Sequence, residues 1–148
     1  MTRFLAFVFL ALCPALVVAE DTSATAETAM IRPAGDSDLS EFLWINRVIV
    51  VFADSPADPR FGQQIEELND GMAMLTDRDV VVLTDTDPSA RSHLRTTLRP
   101  RGFALVLVDK DGEVKLRKPT PWTVREITRS IDKTPMRQRE VRERRVDG

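Results

Sequence analysis

Cysteine, histidine and tyrosine are almost missing from this chain of 148 residues, which carries one Cys, one His and no Tyr. The lone thiol, Cys13, falls in an N-terminal stretch with its own character. Arg3 opens it, Phe4 to Val18 is apolar, and Val17-Val18-Ala19 precedes the acidic pair Glu20-Asp21. That is the pattern of a secretory signal peptide over residues 1–19, cut after about Ala19. The apolar run is short for a bilayer span and a polar, acidic stretch follows it, so a retained anchor is the lesser alternative. Leu12, just before Cys13, is too large for a lipoprotein signal. Cleavage leaves an exported chain, periplasmic or extracellular, with no thiol in a compartment that permits disulfides. Thiol oxidoreductase and peroxidase chemistry and Cys-built zinc sites are thereby excluded, and His93 as the sole histidine argues against a His-built one. No resident metal and no cofactor is expected.

Charge excess is missing too. Without Arg3 the chain holds 20 bases against 23 acids, a net charge of −3, which speaks against a dedicated nucleic-acid binder. The distribution is uneven: Glu20 to Glu41 holds six acids and one base, whereas Lys133 to Gly148 holds six bases and three acids.

What is present is a set of unbroken apolar runs. Phe103 to Val108 reads as a strand buried on both faces. Asp109-Lys110-Asp111-Gly112 then reverses the chain, and the returning arm alternates Val114 and Leu116 with Glu113, Lys115 and Arg117, a charged edge strand. Arg47 to Ala53 is a second central strand and Val80 to Leu83 a third. Between these two, Asp58-Pro59 caps a helix whose Phe61, Ile65, Leu68, Met72 and Leu75 share one face. Gly71 inside it marks close packing. Asp87-Pro88 repeats the capping signature and predicts a helix to about Arg99, with Ala90, Leu94 and Leu98 inward. Thr120-Pro121 predicts a last core helix carrying Val124, Ile127 and Ile131, ended by Pro135. Upstream, residues 20–37 are too poor in apolar side chains to offset ordering entropy and read as a flexible acidic linker. Leu39, Phe42 and Leu43 suggest a short helix, with Trp44 supplying much of a lid on the domain. Residues 38–134 then make one domain, and 135–148 a charged helix or frayed tail.

The element order is β-α-β-α-β-β-α. It predicts a thioredoxin-like α/β fold: a four-stranded mixed sheet in the order 2-1-3-4, with helices on both faces. Four segments also suggest a family. Trp44-Ile45-Asn46-Arg47-Val48-Ile49-Val50-Val51-Phe52, Asp77-Arg78-Asp79-Val80-Val81-Val82, Val108-Asp109-Lys110-Asp111-Gly112-Glu113-Val114-Lys115-Leu116-Arg117, and Ile131-Asp132 through Pro135-Met136-Arg137 to Glu140 resemble the secreted family catalogued as domain of unknown function 4174. The resemblance covers about Leu39 to Arg142, and the hairpin and the Pro-Met-Arg ending are its most specific parts. It implies a thioredoxin-like or peroxiredoxin-like fold and an exported life, since the family occurs in bacterial exported proteins and within animal sushi-repeat matrix proteins. It implies no activity, because the family has no settled one. Active relatives of that fold carry their cysteines in the loop after the first central strand, where this chain has Asp54-Ser55-Pro56-Ala57-Asp58. The cis-proline that thioredoxins place before the third strand is replaced by Gly102.

Two surfaces are candidates for function. Ligands gather at the carboxyl ends of parallel strands, where Asp54 and Ser55 follow one strand and Asp85 and Asp87 the other. These oxygens could converge on a divalent cation in a metal-dependent enzyme; equally, Asp58 and Asp87 are helix caps and the rest turn residues. Arg91, Arg95 and Arg99, four residues apart with Arg101 nearby, form either an anion- or partner-binding face or a solvated helix side. A Ser55/His93/Asp triad lacks any accompanying nucleophile motif. The expected role is a monomeric or weakly associating binding or scaffolding module of the cell envelope, partnered by an envelope protein or anionic ligand, with no nucleic acid and no stable membrane anchor.

Overall fold

The computed structural model describes residues 31–148, so the expected signal peptide and cleavage site, and all of the linker before Ile31, lie outside the described residues. The strands are β1 (Ile31–Pro33), β2 (Arg47–Phe52), β3 (Val80–Asp85), β4 (Ala104–Val108) and β5 (Val114–Lys118). The α-helices are α1 (Pro59–Asp70), α2 (Met72–Thr76), α3 (His93–Leu98), α4 (Val124–Asp132) and α5 (Pro135–Val146), with 3-10 turns at Leu39–Phe42 and Pro88–Ala90.

One sheet runs β1-β3-β2-β4-β5. The expected four strands are its inner and right-hand members, with β2 parallel to β3 and antiparallel to β4. The correction is the fifth strand. Ile31–Pro33, expected inside a flexible linker, pairs parallel with Val82–Thr84, and the Ala34 N–H donates to the Thr84 carbonyl at 2.8 Å. Pro33 has no N–H to offer a further neighbour, which suits an outermost strand.

Strict alternation on the strands divides the core in two. Val48, Val50 and Phe52 of β2, Val81 and Leu83 of β3, and Ala104, Val106 and Val108 of β4 face Phe42, Leu94 and Leu98. Ile49, Val51, Val80, Val82, Leu105 and Leu107 face the other way, onto Leu68, Leu75, Val124, Ile127 and Ile131 of α1, α2 and α4. The near-continuous apolar strands are thus explained by helices on both faces. Gln64, fully buried on α1, adds a polar tie: its amide donates to the Trp122 carbonyl at 2.9 Å and accepts from the Trp122 N–H at 2.8 Å.

Several local expectations change. The helix predicted through Gly71 breaks there, and the break has a cause: a Cβ on Gly71 would sit 2.5 Å from the Val124 side chain, so only glycine lets α4 approach this closely. The helix predicted from Asp87 to Arg99 is a 3-10 turn, then a left-handed Arg91 (φ 47), then α3 capped by Ser92. Thr123 caps α4 through a capping box with Glu126, not Thr120. Trp44 is no lid: its φ of 64 turns the chain so that Phe42 is buried while the indole stays 70% exposed. Residues 135–148 contain α5, which Thr134 caps. Its apolar content is slight, and Arg137, only 4% exposed, is its buried side chain.

Candidate functional site

The carboxyl ends of the parallel strands gather most of the sequence-predicted residues, but they arrive already engaged. Asp85, at the end of β3, is buried. Its Oδ1 accepts from Arg95 Nε at 2.8 Å and from the Asp87 N–H at 3.2 Å, while its Oδ2 accepts from the Ser92 hydroxyl. Arg95 is itself only 10% exposed; it donates to the Ala53 carbonyl at 2.6 Å and stacks 5.4 Å from the Phe52 ring centroid. One guanidinium therefore ties the ends of β2 and β3 together, and a cation at Asp85 would have to displace it. Asp87 caps the 3-10 turn through the Ser89 N–H, and hydrogen bonds from Ser89 hold its carboxyl below the usual range. Asp54 and Ser55 are exposed, Ser55 closing its own turn by accepting from the Ala57 N–H. Among the described residues no group of three or more His, Cys, Asp or Glu side chains stands close enough to hold a metal ion. His93 is exposed and 3.1 Å from Asp38, which leaves it with no nucleophile to serve.

The arginine stripe is also rearranged, because the helix that would have aligned it is broken. Arg91 and Arg99 each end a helical turn in left-handed conformation and are exposed, while Arg95 points inward. Arg99 and Arg101 do come together, in an open groove of about 410 Å³ also lined by Arg117, Lys118, Phe103, Ala104 and Pro119. Arg117 and Lys118 were missed as site residues: alternation on β5 identifies Arg117 only as an edge charge. Arg117 is braced by donating to the Leu98 carbonyl at 2.8 Å, and Lys118 Nζ lies 4.1 Å from the Trp122 ring centroid. Among the described residues none of these four cations has a carboxylate at ion-pair distance. Gly102 (φ 61), where relatives of the fold would have their proline, sits between Arg101 and Phe103 at the mouth of this groove, with a carboxylate oxygen of Asp54 beside it.

The opposite end of the sheet holds what sequence reading overlooked. Arg47, 1% exposed, places Nε 2.9 Å from Asp109 and its terminal nitrogens 3.1 and 3.2 Å from the Glu140 carboxylate, and it donates to the Arg78 carbonyl at 3.0 Å. The Nε contact is a close ion pair whose N–H axis misses the oxygen, so Arg47 Nε lacks a true hydrogen bond. Lys110 bridges Asp79 at 2.8 Å and Glu140 at 3.0 Å. Arg137 reaches Asp77 at 2.8 Å, and Arg78 forks onto Asp132 with two contacts of 2.8 Å. Burial opposes ionisation of Glu140, yet hydrogen bonds and charge from Arg47 and Lys110 outweigh it and bring its pKa down to about 2. Arg47, Asp77, Arg78, Asp79, Asp109, Lys110, Asp132, Arg137 and Glu140 all lie in the four segments that carry the family resemblance, and Arg144, 3.7 Å from both Asp77 and Asp79, joins them from beyond the last. Nothing in the strand and helix periods marks them, since alternate charged positions look like solvent-facing ones until the segments meet.

Comparisons with known proteins agree with this architecture. A reduced 2-Cys peroxiredoxin from Plasmodium vivax is similar with a TM-score of 0.52 and 18% identity, covering 65% of this chain and 81% of its own. A Plasmodium yoelii Prx1a is similar with a TM-score of 0.50 and 19% identity, over 65% of this chain and 77% of its own. No curated protein matches. At such identity the likeness shows the fold alone, which is α/β and thioredoxin-like. The family described as "Domain of unknown function (DUF4174)" matches residues 38–140, a span that takes in all four motif segments and the ionic cluster they build, and the chain belongs to that family.

Proposed function

We propose that this protein is an exported binding module that has kept a thioredoxin-like frame without thiol chemistry, and that it holds anionic groups of a cell-envelope partner. The observation that carries this reading is the groove in which Arg99, Arg101, Arg117 and Lys118 converge with no carboxylate at ion-pair distance among the described residues. Four cations in one concavity, of which only Lys118 feels a nearby carboxylate, that of Glu126, repel one another, and an oxyanion relieves that repulsion while Arg forks supply paired donors. Support for a role without turnover comes from the neighbouring loops: Asp54 and Ser55 stand where the fold's active members hold cysteine, and Asp85 is committed to Arg95. Support for export is the sequence pattern of residues 1–19.

The test is retention on immobilised heparin together with titration of inorganic phosphate and an acidic peptide. Replacing Arg101 and Arg117 by Glu removes two cations and adds two acids, so retention should fall and the peptide affinity drop at least about tenfold. Binding should also weaken with salt, since the screening length shrinks to about 3 Å at 1 M. Unchanged retention in the double variant refutes the groove, and turnover of a peroxide or disulfide by the purified protein refutes the thiol-free role.

A further inference from the structure

Three consecutive apolar side chains, Leu43, Trp44 and Ile45, are 38%, 70% and 64% exposed at the end of the sheet remote from the basic groove. A bare indole beside a bare isoleucine is uncommon on a soluble surface, and Trp is the residue most enriched at the centres of protein contacts. The backbone holds it there. Trp44 has φ 64, a conformation that bulky L residues rarely adopt, kept by its N–H donating to the Lys110 carbonyl at 2.7 Å and by the Ile45 and Asn46 N–H groups both donating to Phe42 at 3.0 Å.

Beside the indole lies a groove of about 300 Å³ bounded by Trp44, Lys110, Met136, Arg139, Glu140 and Glu143. Lys110 and Glu140 are used up on each other and on Asp79 and Arg47. Arg139 and Glu143, one turn apart on α5, have no ion-pair partner among the described residues. A partner of one sign, such as an anionic lipid surface or an acidic peptide, would satisfy only one of these two charges and repel the other. Opposite charges on one rim are instead self-complementary under a two-fold rotation, the symmetry of most protein dimers.

We propose that a second copy of this chain docks here, in a two-fold homodimer in which the Trp44 indole of each copy fills the groove of the other between Met136 and Arg139. The thioether and the guanidinium are both favourable neighbours for an indole. Arg139 of each copy then faces Glu143 of the other. Of the two states expected from sequence, monomeric or weakly associating, this takes the second, and it leaves the basic groove at the far end of the sheet open, so the two readings stand or fall separately.

Sedimentation velocity of the purified protein across the micromolar range tests it. A reversible dimer is expected, with Trp44→Ala raising its dissociation constant about a thousandfold, since the substitution removes one central contact residue from each of the two copies. Arg139→Glu and Glu143→Arg should each weaken the dimer by creating like-charge contacts, and an equimolar mixture of these two variants should restore it. Because these three side chains are exposed, circular dichroism should be unchanged. A monomer at every concentration, a dimer indifferent to Trp44→Ala, a mixture no better than its components, or a monomer that co-sediments with anionic vesicles would each overturn the proposal.

Discussion

Replacing Arg47 by Met should be among the most damaging single changes in the domain, and the structure says why. Arg47 sits on central strand β2 at 1% exposure, with Asp109 (side chain 2% exposed) at 2.9 Å and Glu140 at 3.1 Å. Met keeps an unbranched stem of similar length, so packing is largely preserved, but Asp109 is left as a carboxylate in a dry site with the Lys110 N–H at 2.9 Å as its hydrogen-bond donor and only the more distant charge of Lys115 to answer it. Glu140 retains Lys110 and, at 3.4 Å, Arg137. Removing one partner of a buried ion pair costs about 3–5 kcal/mol, mostly from the charge stranded behind. Against a typical total of about 5–15 kcal/mol, that lowers the melting temperature by roughly 10–25 °C. Urea denaturation followed by tryptophan fluorescence reads the loss as a shift in midpoint at unchanged slope. Arg47→Lys should recover little, since one ammonium cannot fork onto Glu140 while touching Asp109. The double change Arg47→Met with Asp109→Leu should recover a large part, because no stranded charge remains at the hairpin. A loss under about 1 kcal/mol for Arg47→Met, or no recovery in the double variant, would refute the assignment of the cost to an unpaired buried charge.

Glu140 makes the same cluster sensitive to acid. Its carboxyl is depressed from 4.5 to about 2 on folding, so its contribution is complete above pH 4.5 and is lost as pH falls through about 2. Glu140→Gln should cost about 1–2 kcal/mol at pH 7 after allowance for solvent screening, and should flatten the stability-against-pH curve between those two values; an unaltered curve would contradict the ion-pair account. Gly71→Ala should destabilise by about 1–3 kcal/mol through collision with Val124 2.5 Å away, and Val124→Ala added to it should return part of that loss in the same denaturation assay. Arg91→Gly should stabilise by about 0.5–1 kcal/mol, as an exposed left-handed residue (φ 47) becomes one without that restriction. A fall in melting temperature would show that the Arg91 side chain contributes something its exposure does not suggest.

How much of this could be read along the chain differs by the range of the interaction. Val48 to Phe52 and Phe103 to Val108 announce central strands because burial on both faces needs an apolar residue at every position, and the Asp109–Gly112 turn follows from residues that tolerate tight backbone angles. Element order then limits the topology to a thioredoxin-like one, which the fold bears out in its inner strands. Gly71 was legible as a close approach, since glycine inside an amphipathic helix has few other uses. The edge strand β1 was not: Ile31–Pro33 is too short to show a period and becomes a strand only because β3 offers an unpaired side.

The candidate sites divide in the same manner. That no thiol survives outside the first nineteen residues, and that Asp54-Ser55 occupies the loop after the first central strand, is plain from the amino acids alone. Tertiary structure alone decided that Arg95 turns inward to Asp85, that Arg117 and Lys118 join Arg99 and Arg101, and that Arg47 meets Glu140 across 93 positions of chain. Apolar periodicity is a local property, written once per turn or per strand pair. The pairing of a charge depends on which distant segment the fold lays beside it, and an arginine bound for the interior has the same letter as one left in water.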